Sequence, residues 1–271
     1  MEGVNLKPLY LVLLTAHILG DYYLQTQEMS DRKVQEKRAL FLHCLVYAIP
    51  FVWLAGIFQF DYQFIFAAGW AVVCHGVIDF AKAAGSKRVQ ARPKKYFGDT
   101  ATVYLLDQSL HWVSLFLIAF FLRSGGDHLV PWPILVDMLD VFDYTWYIVL
   151  QWVLALLLIY RPSNITFVKL FAVYKPEEER PVALLDGSFG PSDREKLRAG
   201  GTIGLLEKFI SLIFLSVGEY MAIGLILTAK SIARYDKIAK SSTFAEYYLI
   251  GTLTSIIMVM LIYYLCFVTL G

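Results

Sequence analysis

Several long stretches of this chain contain no Asp, Glu, Lys or Arg, and no other feature constrains the fold so strongly. They cover residues 39–60, 62–78, 108–122, 144–160 and 247–271. A helix needs roughly 20 apolar residues to cross the hydrocarbon core of a bilayer. Two stretches reach this length unaided, and others reach it by taking in one acidic residue. With 58% hydrophobic and 17% charged residues, the chain is more apolar than a soluble domain. We therefore predict an all-α fold, a polytopic bundle of transmembrane helices.

The hydropathy pattern predicts about seven membrane helices. They cover approximately residues 6–28, 39–59, 62–84, 101–122, 144–161, 204–229 and 245–269. The polar segment between the fifth and sixth helices is too poor in core-forming residues to be a soluble domain. The prediction therefore has four regions: an amino-terminal four-helix unit at 1–122, an outer loop with the fifth helix at 123–161, a cytoplasmic connector at 162–203, and a carboxy-terminal helical pair at 204–271.

The distribution of Lys and Arg predicts the orientation, because cytoplasmic loops carry an excess of both. Segments 29–38, 82–100 and 161–200 carry four, six and seven such residues, whereas 123–143 carries one and has four aspartates. We expect the three basic segments to be cytoplasmic. Four basic residues after the sixth helix disagree with simple alternation: Lys230, Arg234, Lys237 and Lys240. Either that helix turns back near Gly218 and Glu219, or the rule is broken here.

Histidine and aspartate recur four residues apart within the predicted helices. The three pairs are His17 with Asp21, His75 with Asp79, and Asp107 with His111. Residues four apart share one face of a helix, and Gln25 extends the first face by another turn. Alternation of the helices places all three pairs in the cytoplasmic half of the membrane. His43 enters from the same side, so we expect four helices to bring these groups into one cluster.

Neutral imidazole and carboxylate together are the usual ligands of Zn, Mn or Fe. A buried carboxylate must be paired, protonated or bound to a metal, and three carboxylates without a cation would repel one another. We predict a divalent metal (Zn, Mn, Fe or Mg), with Asp21, Asp79 and Asp107 as candidate catalytic groups. The candidate ligands are His17, Asp21, His43, His75, Asp79, Asp107 and His111. Hydrogen bonding between helices and a proton or ion pathway are the alternatives.

Two cations four residues apart end the sixth predicted helix. Lys230 and Arg234 share a face there, and such a face suits an anionic head group or a phosphate. Glu219 or Glu246 is the expected internal partner. The alternative is that these cations only interact favourably with the carboxyl end of the helix.

The order of these polar residues resembles the bacterial membrane family catalogued as domain of unknown function 3307. The series is His17-x-x-x-Asp21-x-x-x-Gln25, Lys33, His43-x-x-x-Tyr47, His75-x-x-x-Asp79-x-x-Lys82 and Asp107-Gln108-x-x-His111. Carboxy-terminal strings from Ile203 onward also resemble longer members, so the likeness extends over nearly the whole chain. It implies a bacterial protein of the inner (plasma) membrane and supplies no established reaction.

These observations favour a metal-dependent hydrolase that acts on a lipid-linked or membrane-embedded substrate. A transporter for a metal ion or a proton-coupled solute and a non-enzymatic membrane partner are the alternatives. Transport is disfavoured because the outer halves of the second to fourth helices carry few ionisable groups. Lys and Arg total 24 against 23 for Asp and Glu, so we expect membrane lipids, and no nucleic acid, as partners.

The predicted orientation can be tested by labelling single cysteines in intact cells. In a variant without Cys44, Cys74 and Cys266, a cysteine at Arg92 should be protected from an impermeant reagent added outside. A cysteine at Asp137 should react with it, because the acidic segment is expected to be outside. Labelling at position 92 from outside would contradict the orientation and the common depth inferred for the His/Asp pairs.

Overall fold

The computed structural model describes residues 6–33, 36–89, 98–122, 129–171 and 191–271, and these residues form helices and no strand. Twelve helices are labelled in chain order over the described residues. They are α1 (Lys7–Ile18), α2 (Gln27–Arg32), α3 (Lys37–Ile57), α4 (Tyr62–Val89), α5 (Gly98–Phe121), α6 (Pro133–Asp140), α7 (Trp146–Tyr160), α8 (Pro162–Phe171), α9 (Pro191–Ser216), α10 (Tyr220–Ala233), α11 (Tyr235–Lys240) and α12 (Ser242–Tyr263). Wider π-helical turns follow α1 and α12, at Leu19–Leu24 and Tyr264–Thr269.

Five helical segments of the described residues are long and apolar enough to cross a membrane. They are Lys37–Ile57, Tyr62–Gly85, Ala101–Phe121, Trp146–Phe171 and Ser242–Thr269. This confirms the predicted class, a helical membrane bundle. The predicted count of seven is not confirmed, because the first and sixth predicted helices are each interrupted.

The first predicted helix, at 6–28, is broken in two. α1 ends at Ile18, the π-helical turn runs to Leu24, and Gln25 has an extended backbone with ψ 120°. Thr26 then caps α2, since its hydroxyl accepts the backbone N–H of Met29 at 3.2 Å. Gln25 is therefore not on the helical face of His17 and Asp21. The break redirects the chain so that α2 lies beside the start of α3.

The chain forms two compact units, residues 1–157 with 269–271, and residues 158–268. The first unit is built around α1, whose residues from Leu11 to Ile18 are at most 1% exposed. α3, α4 and α5 pack against α1 and form antiparallel neighbours in sequence order. Gly20 permits the closest approach, because a Cβ there would meet Cδ2 of Tyr47 at 2.7 Å. This contact brings the π-helical turn against α3, where His43 and Tyr47 are buried.

The second unit contains a helical hairpin in place of the sixth predicted helix. α9 ends at Ser216, and Gly218 has φ +80°, a conformation that glycine adopts without strain. Nζ of Lys230 lies 2.5 Å from Oε2 of Glu207. A continuous helix would separate these residues by about 35 Å at 1.5 Å per residue. The chain therefore reverses at Gly218, which supports the first of the two explanations for the basic residues after this segment.

Candidate functional site

The four helices of the first unit bring all seven predicted ligand residues into one buried neighbourhood. The residue exposures are 0% for His17 and His43, 1% for His75, 2% for His111, 3% for Asp79 and 7% for Asp107, and the Asp21 side chain is 10% exposed. The chain needs α1, α3, α4 and α5 together to assemble this set, since no helix supplies more than one His/Asp pair.

The centre of the cluster joins His43, His75 and Asp79. The Nε2 atoms of His43 and His75 are 2.9 Å apart, and Oδ2 of Asp79 lies 3.2 Å from Nε2 of His43 and 3.6 Å from Nε2 of His75. Oδ1 of Asp21 is 3.6 Å from Nε2 of His43. The His75 ring stacks on Tyr47 with centroids 3.6 Å apart and planes at 5°. This stacking holds the imidazole in one orientation.

His111 presents a free ring nitrogen to the cluster. Its Nδ1 donates a hydrogen bond to the backbone oxygen of Asp107 at 2.8 Å, which assigns the ring proton to Nδ1. Nε2 is then an acceptor, and it is buried without a hydrogen-bond partner in the described part of the chain. A backbone carbonyl that orients the other nitrogen is a common second-shell arrangement for a metal-ligating histidine.

His17 lies beside these groups, within the same stack of rings. Its Nδ1 is 3.1 Å from the hydroxyl of Tyr47, and its ring is 5.3 Å from the His111 ring, with planes at 19°. Its Nε2 is also buried and unpartnered as far as the structure describes the chain. Tyr47 therefore positions two imidazoles, one through its hydroxyl and one through its ring.

Two overlapping groups of side chains satisfy the distance requirement for a metal site. In each group the ligand atoms lie within 4.8 Å of one another: Asp21, His43 and His75 in one, and His75, Asp79 and His111 in the other. His75 is common to both. His17 and Asp107 belong to neither group, so the structure places two of the seven predicted ligands next to the groups and not within them. The donor set of imidazole and carboxylate fits Zn, Mn or Fe.

Two lysines enter the cluster, although the spacing of the His/Asp pairs did not indicate them. Nζ of Lys33 donates to Oδ2 of Asp79 and to Oε1 of Gln25, both at 2.8 Å, and it lies 3.2 Å from Nε2 of His43. Nζ of Lys82 donates to Oδ2 of Asp107 at 2.6 Å. Lys82 follows Asp79 by three residues, and this spacing places both on one face of the helix, so the sequence pattern could have indicated Lys82. For Lys33, the family resemblance was the only indication in the sequence.

These lysines correct the expectation that the carboxylates are left to repel one another. With neutral imidazoles, three carboxylates and two ammonium groups leave a net charge of −1. Asp79 and Asp107 each have a close ammonium partner. The Lys33 ammonium is 3.9 Å from Asp21, and Nε2 of Gln108 donates a hydrogen bond to Oδ2 of Asp21 at 3.1 Å. Asp21 is therefore the carboxylate whose charge is least compensated.

The comparison with known families identifies the segment that carries this cluster. Residues 9–132 match the family model described as "Protein of unknown function (DUF3307)". This confirms the resemblance for the segment that contains every cluster residue named above, and we call residues 9–132 the DUF3307 segment. The carboxy-terminal strings that also suggested the family lie outside it. No curated protein and no solved structure matches the chain.

In the DUF3307 segment, apolar side chains pack against one side of the His/Asp cluster. Beyond His17 toward the start of α1, the side chains of Leu13 and Leu14 are fully buried, and Leu115 and Ala119 on α5 are 2% and 0% exposed. On the other side, Lys82 has a side chain that is 31% exposed. Among the described residues, the cluster therefore comes nearest to the surface at Lys82 and is packed at its opposite end.

The predicted cationic pair of the second unit has a different partner from the one expected. Lys230 pairs with Glu207, and not with Glu219 or Glu246, because the reversal at Gly218 brings α10 back beside α9. The Lys230 ammonium also lies 5.6 Å from the ring centroid of Tyr248. Binding of an anionic head group by Lys230 and Arg234 stays a prediction.

The Lys33–Asp79 contact should dominate the stability of the DUF3307 segment. Replacing Lys33 with Met leaves a buried carboxylate without its closest cation, and we expect a loss of about 3–5 kcal/mol of unfolding free energy. Adding Asp79→Asn to Lys33→Met should recover part of that loss. The free energies of unfolding of the parent protein, the two single variants and the double variant, measured with denaturant in detergent, complete the double-mutant cycle.

Arg32→Met is the matched control for this cycle. Its side chain is 61% exposed and pairs with exposed Glu28, so its effect should stay within about 0.5 kcal/mol. Additive effects of the Lys33 and Asp79 substitutions would contradict the assigned contact.

Proposed function

We propose that this protein is a metal-dependent membrane hydrolase that acts on a lipid-linked or membrane-embedded substrate. The observation that carries the proposal is the pair of overlapping His/Asp groups that share His75, with ligand atoms within 4.8 Å of one another. The arrangement adds a buried, unpartnered Nε2 on His111. Such a nitrogen is costly without a partner, and a divalent metal would supply one.

The residues that would hold the metal follow from the two groups. His75, Asp79 and His111, the set with the free imidazole nitrogen, would hold the metal, and Asp21 and His43 of the other group would lie beside it. When bound, a divalent ion supplies Lewis acidity toward a substrate oxygen and toward water. The metal is Zn, Mn, Fe or Mg, with the imidazole content favouring the first three.

Among the three aspartates, Asp21 is best suited to act as the general base. Asp79 and Asp107 each have an oxygen engaged by an ammonium group, at 2.8 and 2.6 Å, which leaves them less free to contact a water molecule. Asp21 is farther from Lys33, and Gln108 orients it through one amide hydrogen bond at 3.1 Å. Its side chain is 10% exposed, so a water molecule can reach it. A positioned carboxylate typically contributes about 10²–10⁴-fold to such a reaction.

Transport receives less support from the same geometry. A pathway across the membrane needs polar groups that continue past His17, whereas α1 is packed there by leucine and valine side chains that are 0% exposed. The hydroxyl of Thr15, the next buried polar group on α1, is engaged by the backbone oxygen of Leu11 at 2.8 Å. The polar set therefore suits a chamber with one opening. We place that opening on the cytoplasmic side of a bacterial inner membrane, where the basic segments are expected.

The metal part of the proposal predicts stoichiometric metal in the purified protein. Asp79→Asn and His75→Gln should each release it, because both residues belong to the His75, Asp79 and His111 group. Asp140→Asn on α6 is the matched control, since it makes the same change at an aspartate of the same unit outside the cluster. Elemental analysis of monodisperse protein measures the result. No metal in the native protein, even after incubation with Zn²⁺, Mn²⁺ or Fe²⁺, would overturn the hydrolase.

The hydrolytic part predicts transfer of oxygen from water to a membrane product. Metal-loaded protein incubated with total bacterial lipid in H₂¹⁸O should introduce ¹⁸O into a lipid or its released head group, detected by mass spectrometry. Asp21→Asn should reduce the incorporation by about 100-fold or more, while Asp140→Asn leaves it unchanged. Bound metal without ¹⁸O incorporation would favour a transporter or a non-enzymatic partner.

A further inference from the structure

The second unit contains a buried lysine that belongs to no predicted site. Lys208 on α9 is 5% exposed. Its Nζ donates to Oγ of Ser163 at 3.0 Å and to Oδ1 of Asn164 at 2.6 Å. Both partners are neutral, and the described residues give this ammonium no ion pair. A buried charge that has only neutral partners is unfavourable, so an anion is the missing component.

The two neutral partners are themselves held in place. Pro162 begins α8 and has no N–H to donate to the preceding turn. Instead, Oγ of Ser163 donates to the backbone oxygen of Ile159, and Nδ2 of Asn164 donates to that of Tyr160 at 2.8 Å. Both side chains are thereby fixed with an oxygen available to accept. The start of α8 is thus arranged to receive an ammonium group, and two of the three N–H groups of Lys208 are used.

The neighbouring charges do not neutralise Lys208. Glu207 is adjacent in sequence, but its carboxylate pairs with Lys230 at 2.5 Å. That pair is neutral as a unit, so none of the described carboxylates forms an ion pair with Lys208. The sequence pattern pointed to Lys230 as the cation for an anionic ligand. The hairpin changes this assignment to Lys208.

α12 carries two hydroxyl groups that have no hydrogen-bond partner among the described residues. Thr252 is 7% exposed, and its Oγ1 has no hydrogen-bond partner in the described residues, like the hydroxyl of Tyr248 one turn earlier. The Tyr248 ring is the one beneath the Lys230 ammonium. α12 also packs against both α8 and α9. A face with two unpartnered hydroxyls therefore belongs to the same group of helices as Lys208.

The length of the α9 arm sets the distance between Lys208 and the tip of the hairpin at Gly218. Lys208 precedes Gly218 by ten residues, which is about 15 Å of helix. This is about half of the roughly 30 Å hydrocarbon core. With the tip at the middle of the bilayer, Lys208 would lie at the boundary of the hydrocarbon core, within reach of the head groups.

We propose that Lys208 is the centre of a binding site for a phosphodiester monoanion, the group that phospholipid head groups carry. One negative charge balances the Lys208 ammonium, and a phosphate oxygen supplies an acceptor for its third N–H. The site lies wholly within the second unit. It stands independently of the metal and of the hydrolase proposed above.

The decisive variant is Asn164→Asp, which places a carboxylate where Oδ1 now accepts from Lys208. This internal counter-ion should displace the external anion, and the same change removes the hydrogen bond from Nδ2 to the backbone oxygen of Tyr160, so the folded state of the variant is checked first. Lys208→Gln should also remove binding. Lys169→Gln on α8 is the matched control, because Lys169 is exposed. Full-length protein in a phosphate-free detergent is titrated with phosphatidylglycerol, and native mass spectrometry counts the bound lipid.

We expect phosphatidylglycerol binding to weaken by about tenfold or more in both Lys208-site variants and to be unchanged in Lys169→Gln. A parallel titration with inorganic phosphate distinguishes the source: Lys208-dependent displacement of the lipid by millimolar phosphate assigns the site to a free phosphate. Equal lipid binding in Asn164→Asp, Lys169→Gln and the parent protein would overturn the proposal. Lys208 would then only connect α8 to α9. If Lys208→Gln does not fold, Asn164→Asp alone decides.

Discussion

An ionisable side chain inside an apolar helix bundle is unfavourable by several kcal/mol unless another group compensates its charge. The Lys33 ammonium meets this requirement for the first unit, through its contacts with Asp79, His43 and Gln25. Its position explains the irregular backbone before it. α1 must end early, widen into a π-helical turn and give way to a separately capped α2, because a continuous helix would carry Lys33 away from α4. The local break is thus coupled to a tertiary ion pair.

The position of the Lys33 ammonium gives the cluster one end rich in carboxylates and another end rich in imidazoles. At one end, Lys33 contacts Asp79 and His43 and approaches Asp21. At the other, the rings of His17, His75 and His111 lie against one another, and one nitrogen of each ring is buried without a hydrogen-bond partner in the described chain. The carboxylates at the first end already have an ammonium partner. The three unpartnered ring nitrogens are the reason we favour a metal bound by nitrogen-rich ligands.

Charge compensation also organises the second unit, within itself. The Glu207–Lys230 pair joins the two arms of the hairpin, and Lys208 is secured by neutral oxygens from the start of α8. Of the two cations that end the sixth predicted helix, Lys230 forms an ion pair with Glu207, and the buried Lys208 lies next to Glu207 in sequence.

The sequence by itself determined the class of fold and most members of the first cluster. Uncharged stretches predict membrane helices, and the spacing of four between His and Asp predicts a shared face, because both follow from the local geometry of a helix. Those residues do meet, although His17 and Asp107 fall outside the two ligand groups. Only the tertiary structure decided where the first and sixth predicted helices are interrupted, the reversal at Gly218 and the partners of Lys33, Lys208 and Lys230. These depend on where the chain turns and which distant side chains then meet, as with Lys208 and Ser163, which are 45 residues apart, and local periodicity carries no information about such contacts.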